Sequence, residues 1–308
     1  MAKPVQQVAI ITDDPGWHGR QLRQALARYG LEGHYLSLLD AAIVVDSDTA
    51  RIVIPGFETA PPLGVFIRGI PGGTLEQVIF RLDILHMLVE TGTTVFNTPR
   101  AIERTVDKAM TSFLLRHAGM PTPPTWVCES HEQARNIYQR ETAAGHRLVM
   151  KPVFGSQGIG VRIPENPAAL ADTEDFGGVY YLQRFVEPAS NVFSDIRVFV
   201  IDGQAVAAMR RSHHDWITNR AQGARCERLV MSEPIRSMAE DAVRICDIDY
   251  AGVDLIVDRN GQLQVLEVNS VPAWWGLQKV VDVDISAALI DSFVDRINQS
   301  AGNPALCR

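Results

Sequence analysis

Asp254 and Glu267 are the side chains whose placement says most about chemistry. They lie in two apolar, β-patterned runs, Ala251 to Asp258 and Leu263 to Asn269, separated by Asn260-Gly261. Asn-Gly between such runs marks a tight hairpin. With those two residues as the loop, Asp254 faces Glu267 directly across the strands. Asn269, two residues further on, shares their face. Like charges set opposite one another cost about 0.5 kcal/mol even when solvated. The neighbours Val265, Leu266 and Val268 imply burial, which raises the cost. A divalent cation removes it. Two carboxylates, an amide oxygen and water suit magnesium, a hard cation that takes further ligands from phosphates. A pair of solvated surface acids is the competing reading.

A second segment, Lys151-Pro152-Val153-Phe154-Gly155-Ser156-Gln157-Gly158-Ile159-Gly160, is glycine-rich. Its G-x-x-G-x-G spacing runs into Val161-Arg162-Ile163, a strand pattern. A dinucleotide fingerprint needs a helix there. Strand, loop and strand with a lysine on the incoming strand resembles the flap that kinases lay over a triphosphate; a plain turn is the alternative. A third segment is the hairpin Asp195 to Ile201, Asp202-Gly203, Gln204 to Arg211. A two-residue loop sets Asp195 opposite Arg210 and turns Arg211 to the other face, unless a bulge shifts it. With Arg197, these residues make either a structural ion pair or an arginine for a carboxylate or acyl phosphate beside an aspartate for ribose hydroxyls. Lys108 alone is an ordinary lysine. The histidines do not cluster at metal spacing, and Ser156 has no evident histidine and acid partners, which leaves a serine hydrolase unsupported.

These residues must be carried on a defined frame. Val8 to Thr12 and Gly64 to Arg68 read as buried strands. Leu22, Ala25, Leu26 and Tyr29 mark a helix ended by Gly30. Thr74-x-x-Gln77 resembles a capping box ahead of a helix that runs to Gly92. Thr94 to Phe96 is a short strand. Thr98 with Pro99 opens a helix expected to continue to Gly119. Strand–helix alternation predicts a parallel sheet in the first hundred residues. Hairpins dominate afterwards, so the expected class is α/β turning to α+β in the second half.

Composition narrows the function further. The chain has 308 residues and a net charge of −7, a poor balance for neutralising nucleic-acid phosphates. No apolar run approaches the roughly 18 residues that span a bilayer, and Val8 to Ile11 is too short for a secretory leader. Cys128, Cys226, Cys246 and Cys307 lie far apart with no Cys-x-x-Cys pair, as expected of reduced thiols. A cytoplasmic protein without nucleic-acid or membrane partners is expected.

Taken together, the segments resemble the RimK-like α-L-glutamate ligases of the ATP-grasp superfamily. The matching pieces run in family order: Asp107-Lys108 with Thr111; Met150-Lys151-Pro152 with Gly155-Ser156 and Gly158; Gln183-Arg184-Phe185; Asp195-Ile196-Arg197; Trp216-Ile217-Thr218-Asn219; Gly252-Val253-Asp254; and Glu267-Val268-Asn269. The resemblance implies an ATP-grasp fold with an N-terminal parallel-sheet domain over 1–97, a central subdomain with the flap over 98–185 and a C-terminal subdomain over 186–300. It implies that Lys108, Lys151, Gly155, Ser156 and Gly158 hold nucleotide phosphates, that Gln183 and Phe185 line the adenine pocket and that Asp195 binds ribose. Asp254, Glu267 and Asn269 would hold magnesium, or manganese in its place. Arg211, or Arg210, and Asn219 would act at the transferring phosphoryl group, with Trp17, Arg68 and Arg197 toward the substrate. The implied reaction joins L-glutamate to a carboxylate acceptor through an acyl phosphate, and the N-terminal texture is similar to ligases acting on a pterin or furan coenzyme of one-carbon metabolism. A homo-oligomer is expected. The alternatives are an ATP-grasp kinase and a nucleotide-binding protein without turnover. The chain departs from the family at Arg184, at Ile217 and at Pro272-Ala273-Trp274-Trp275, where two tryptophans either suit a flat aromatic acceptor or pack in the core.

Overall fold

The computed structural model describes residues 6–155, 158–170, 176–188, 192–220 and 223–301. The first unit runs β1 (Gln6–Ile11), α1 (Gly16–Ala27), β2 (Leu31–Leu36), β3 (Ala42–Val45), β4 (Ala50–Val53), β5 (Gly64–Ile67), α2 (Leu75–Glu90) and β6 (Thr94–Phe96). Strands β2, β1, β5 and β6 form a parallel sheet in that order. The capping box of Thr74 and Gln77 opens α2. Sequence periodicity does not single out β2 or the β3–β4 hairpin, whose turn is closed by Asp46 accepting from the N–H groups of Asp48 and Thr49.

The single helix expected from Thr98 to Gly119 is two, α3 (Pro99–Val106) and α4 (Lys108–His117). Asp107 leaves helical geometry, and its carboxylate accepts from the N–H groups of Ala109 and Met110. A short acidic side chain that bonds backbone donors competes with helix continuation. Lys108 therefore starts a helix rather than riding in the middle of one.

Strands β7 (Thr125–Cys128), β8 (Leu148–Lys151) and β9 (Tyr180–Arg184) pair antiparallel in the order β7-β9-β8. With α5 (His131–Ala143) they enclose a separate core of Ala134, Tyr138, Leu148, Met150 and Leu182. The strand expected over 161–163 is reduced to one bridge between Met150 and Arg162. A five-stranded antiparallel sheet follows: β10 (Phe193–Ile201), β11 (Gln204–His213), β12 (Arg225–Arg228), β13 (Tyr250–Val257) and β14 (Leu263–Asn269), ordered β12-β11-β10-β13-β14. Helix α6 (Glu233–Cys246) covers one face through Ala239, Ala242 and Val243. After α7 (Trp275–Gln278), helix α8 (Ile285–Ala301) returns to the parallel sheet. Leu289 and Phe293 of α8 join Ile10, Phe66 and Phe96 of the parallel sheet, and Phe199 and Tyr250 of the five-stranded sheet, in one buried cluster. Among the described residues no helix is long and apolar enough to cross a membrane.

The two hairpins settle the register of the site. Asp202 and Gly203 form the two-residue loop with φ of 48° and 73°, the left-handed pair that a type I′ turn requires. A bulge between Phe199 and Val200 then shifts the pairing, and Asp195 faces Arg211. The expected facing of Asp195 with Arg210 is thereby corrected; Arg210 lies opposite Ile196. A bulge places two residues against one and so swaps the faces beyond it. In the second hairpin Val257 pairs with Leu263, so the loop spans five residues rather than two. A bulge between Asp254 and Leu255 adds the compensating residue, and Asp254 does face Glu267.

Candidate active site

A cleft of about 390 Å³ lies between the three-stranded and five-stranded sheets. It is lined by Lys108, Lys151, Gly155, Gly158, Gln183, Phe185, Asp195, Arg210, Arg211, Asn219, Asp254 and Glu267. The sequence-identified residues thus converge on one space. Arg197, Asn269, Arg68 and Trp17 do not line it, and Ser156 falls outside the described residues. Gly158, at φ +74°, lies against the opposite wall. A Cβ there would stand 2.9 Å from Ile217 Cγ2 and 3.0 Å from Asn219 Oδ1, so a side chain would hold the flap off the loop that carries Asn219.

One wall is a buried chain of alternating charges. Arg211 donates from Nε and Nη2 to the two oxygens of Asp195, each at 2.6 Å, and its Nη2 is 3.0 Å from Asp254 Oδ1. Asp254 takes a second, forked contact from Arg197, whose Nη2 donates to Oδ2 at 2.7 Å and whose Nε donates to Oδ1. Thr218 Oγ1 ends the chain by donating to Asp195 at 2.6 Å. Both links are cross-strand pairs, Asp195 with Arg211 and Arg197 with Asp254. Burial pushes the Asp254 carboxyl up, and two guanidiniums outweigh it, holding the group below the usual carboxylate range. Burial likewise opposes the charge on Arg211, and Asp254 and Asp195 overcome it, keeping the guanidinium protonated. Arg197 is therefore a partner of Asp254 rather than an open substrate contact.

Two lysines line the cleft, Lys151 on β8 of the three-stranded sheet and Lys108 at the start of α4, which packs beside β14. Lys108 Nζ donates to Gly155 O at 2.7 Å and lies 3.9 Å from Glu267 Oε1. Lys151 Nζ donates to Gln183 Oε1 at 2.7 Å. The amide nitrogen of Gln183 donates to Thr125 Oγ1 and Tyr181 OH, and Tyr181 OH meets Ser112 Oγ at 2.8 Å. Gln183 thus aims Lys151 through a buried polar chain; Tyr181 and Ser112 carried no sequence signature of this. Burial lowers the Lys151 pKa to about 8, with Glu267 opposing the shift and Lys108 adding to it. Phe185 sits under the Arg147 guanidinium, 4.1 Å from the ring centre, and edge-on to Trp216. Arg184 donates to Glu141 on α5 at 2.7 Å.

Three residues of the parallel-sheet unit grip the segment that follows Asn269. Asn97 is buried; its amide donates to the carbonyls of Tyr250 and Ser270 and accepts from the Tyr250 N–H. His18 Nε2 accepts from the N–H groups of both Trp274 and Trp275 at 3.2 Å. Arg68 donates to Pro272 O at 3.0 Å and lies over the Trp274 ring. Burial lowers the His18 pKa to about 4, aided by Arg68, which keeps the ring neutral and able to accept. Trp274 is fully buried, bonded through Nε1 to Ser286, and Trp17 packs edge-on against it. The structure decides the tryptophan question for packing at Trp274. Trp275 is itself covered by cations, Arg220 at 3.8 Å and Lys279 at 3.4 Å.

A glycine-bearing flap over a lysine-lined cleft between two antiparallel sheets is the ATP-grasp architecture. The computed structure superposes on the ATP-grasp ligase PsnB bound to its minimal precursor with a TM-score of 0.72 over 95% of this chain and 99% of that one, at 22% identity. It also matches a RimK-domain ATP-grasp protein from Sphaerobacter thermophilus, at a TM-score of 0.68 and 18% identity over 94% and 99% of the two chains. Residues 105–293 match the RimK-like ATP-grasp domain. The tetrahydromethanopterin:alpha-L-glutamate ligase of Methanocaldococcus jannaschii is 37% identical over 71% of this chain and 76% of its own length. The enzyme of that name from Methanosarcina acetivorans is 30% identical over 87% and 92%. The chain belongs to the RimK-like ATP-grasp family, and it is an ATP-dependent, amide-forming ligase.

Proposed function

We propose that the protein joins L-glutamate to a carboxylate acceptor of the reduced-pterin coenzyme class, using ATP with magnesium. The names of the relatives support the substrates. The observation that carries the chemistry is Glu267, which faces Lys108 across the cleft while its neighbour Asp254 is already bound by arginines. Glu267 is the hard oxygen donor that lines the cleft with its carboxylate open to magnesium; Asp254 beside it has both oxygens held by arginines and Asn269 does not line the cleft, so those two would join the ion only after shifting. Among the described residues no cluster of three acidic, histidine or cysteine side chains could hold a metal unaided. Magnesium takes its remaining ligands from nucleotide phosphates. Bound there, magnesium supplies charge neutralisation at the phosphates; manganese, with the same oxygen preference, is expected to substitute.

In this reading Lys108 and Lys151 hold the phosphates, and the segment bearing Gly155 and Gly158 covers them. The acceptor carboxylate oxygen attacks the γ-phosphorus, releasing ADP and giving an acyl phosphate. Arg211 and Asn219 face the charge that builds at the transferring group. The glutamate amine then attacks the acyl carbon, phosphate leaves, and the amine proton passes to solvent. The test is to mix protein, magnesium, ATP and a tetrahydropterin carboxylate, with and without glutamate, and to follow phosphate and product mass. Phosphate release that requires glutamate, with a product heavier by one glutamyl residue, is expected. A stable phosphorylated acceptor that accumulates without an amine and is not converted to an amide when glutamate is added would identify a kinase instead.

The lysine wall also sets a pH response. Only the ammonium form of Lys151 attracts phosphate, and its pKa is about 8. ATP affinity is therefore expected to fall as pH rises through about 8. In Lys151→Met, equilibrium binding should be weak and flat over that range. A wild-type affinity that stays constant from pH 7 to 9 would contradict the assignment.

A further inference from the structure

We infer that Thr218 is a positioning residue for Asn219, and that the bond from its hydroxyl to Asp195 fixes the spacing between Asn219 and Arg211. This rests on the reading above, in which those two groups face the transferring phosphoryl group. Residues 216–219 follow β11, line the cleft and adopt neither helix nor strand. Their side chains make three successive contacts. Trp216 stands edge-on to Phe185, with 5.9 Å between ring centres. Ile217 and Asn219 both lie against Gly158 of the flap. Thr218, between them, turns the other way and donates from Oγ1 to Asp195 Oδ2 at 2.6 Å. Such alternation is that of an extended chain, so whatever holds the middle residue sets where its two neighbours point.

The hold is narrow and its anchor is rigid. Among the described residues, no other hydrogen bond joins 217–219 to the rest of the chain. Asp195 and Arg211 face each other across β10 and β11, and both are buried. The Arg211 fork closes on the two Asp195 oxygens, each at 2.6 Å. Thr218 therefore shares Oδ2 with Arg211 Nη2. One carboxylate thus fixes the arginine directly and the asparagine through its neighbour. Asp195, with both oxygens engaged, serves as the common anchor of the two. A hydroxyl bonded to a charged acceptor makes a short and strong link, which packing alone would not replace.

The consequence is kinetic. Groups that stabilise developing charge work because they are aimed before the charge appears. A misplacement of about 1 Å can cost a hundredfold in rate. Loss of the Thr218 hydroxyl frees the loop from Asp195 and lets Asn219 drift along the flap, while Lys108 and Lys151, which hold the nucleotide, are untouched.

Double-variant kinetics on the full chain tests the assignment. Thr218→Val keeps the shape and removes the donor. It should lower kcat for amide formation by about tenfold or more, with equilibrium ATP binding within about twofold of wild type. Thr218→Ser restores the donor and should recover most of the loss. Asn219→Ala should slow amide formation by about a hundredfold. Adding Thr218→Val to Asn219→Ala should then cost less than a further twofold, because the hydroxyl acts through Asn219. A wild-type kcat in Thr218→Val overturns the inference. So do losses that multiply in the double variant, which would mean that Thr218 acts without Asn219. A fall in ATP affinity as large as the fall in kcat also overturns it, since that marks a general loss of structure. If Asn219→Ala itself ligates at the wild-type rate, the role of Asn219 at the phosphoryl group fails and this inference with it. If Asn219→Ala is slow and Thr218→Val is not, only the positioning is wrong.

Discussion

Arg211→Met should destabilise the protein by about 3–5 kcal/mol, the usual cost of breaking a buried ion pair from one side. The substitution leaves Asp195 and Asp254 facing the space of a lost guanidinium, both essentially buried. Arg197 still neutralises Asp254, but among the described residues Asp195 retains only the hydroxyl of Thr218. Chemical denaturation reads this directly. Arg211→Lys separates structure from chemistry. It keeps the charge and gives up the fork that reaches both carboxylates, so it should fold, with ATP affinity near wild type and amide formation slower by about a hundredfold, or about 2.7 kcal/mol of barrier. Arg210→Lys should do far less, because among the described residues Arg210 has only a 3.4 Å contact with Ser194 Oγ. If both lysine variants ligate at the wild-type rate, the buried chain is structural and the arginine has no part in phosphoryl transfer.

Glu267→Gln should reduce turnover by at least a thousandfold, about 4 kcal/mol of barrier, and leave stability within about 0.5 kcal/mol. The asymmetry follows from its surroundings. Glu267 is partly exposed, and its charge contact is Lys108 at 3.9 Å, so the fold gains little from its carboxylate. Glutamine preserves size and hydrogen bonding but weakens a hard-cation site. ADP release measured across a magnesium titration is the deciding assay. Wild-type turnover at ordinary magnesium concentrations would remove Glu267 from the site; partial recovery at high magnesium would place it there.

The sequence made Asp254 and Glu267 legible as partners because their strands are strongly patterned, although the route was indirect: a loop three residues longer than Asn-Gly and a one-residue bulge cancelled. In the other hairpin the turn was legible and the bulge was not, since Val198 to Ile201 and Ala205 to Met209 are apolar throughout and read the same on either register. That single residue decided between Arg210 and Arg211. The split of the helix at Asp107 had a visible cause, an aspartate able to cap, which the hydrophobic periodicity on both sides concealed. Asn97 and His18 lay beyond local reading altogether. Their partners are 153 and 256 residues away, and nothing in an isolated asparagine or histidine announces a backbone it will meet across the fold.

The grip of Asn97, His18 and Arg68 on 250–275 bears on how the cleft can open. These contacts and the shared cluster of Phe66, Phe96, Tyr250 and Phe293 weld the parallel sheet to the five-stranded sheet. Hinging between them would expose that cluster and strand the buried amide of Asn97, an unsatisfied group costing about 1–3 kcal/mol by itself. The three-stranded sheet has its own core and meets the rest largely across the cleft. Opening of the cleft is therefore expected as a rotation of that small lobe, with the parallel sheet and the strand of Glu267 staying together as one rigid anvil beneath it.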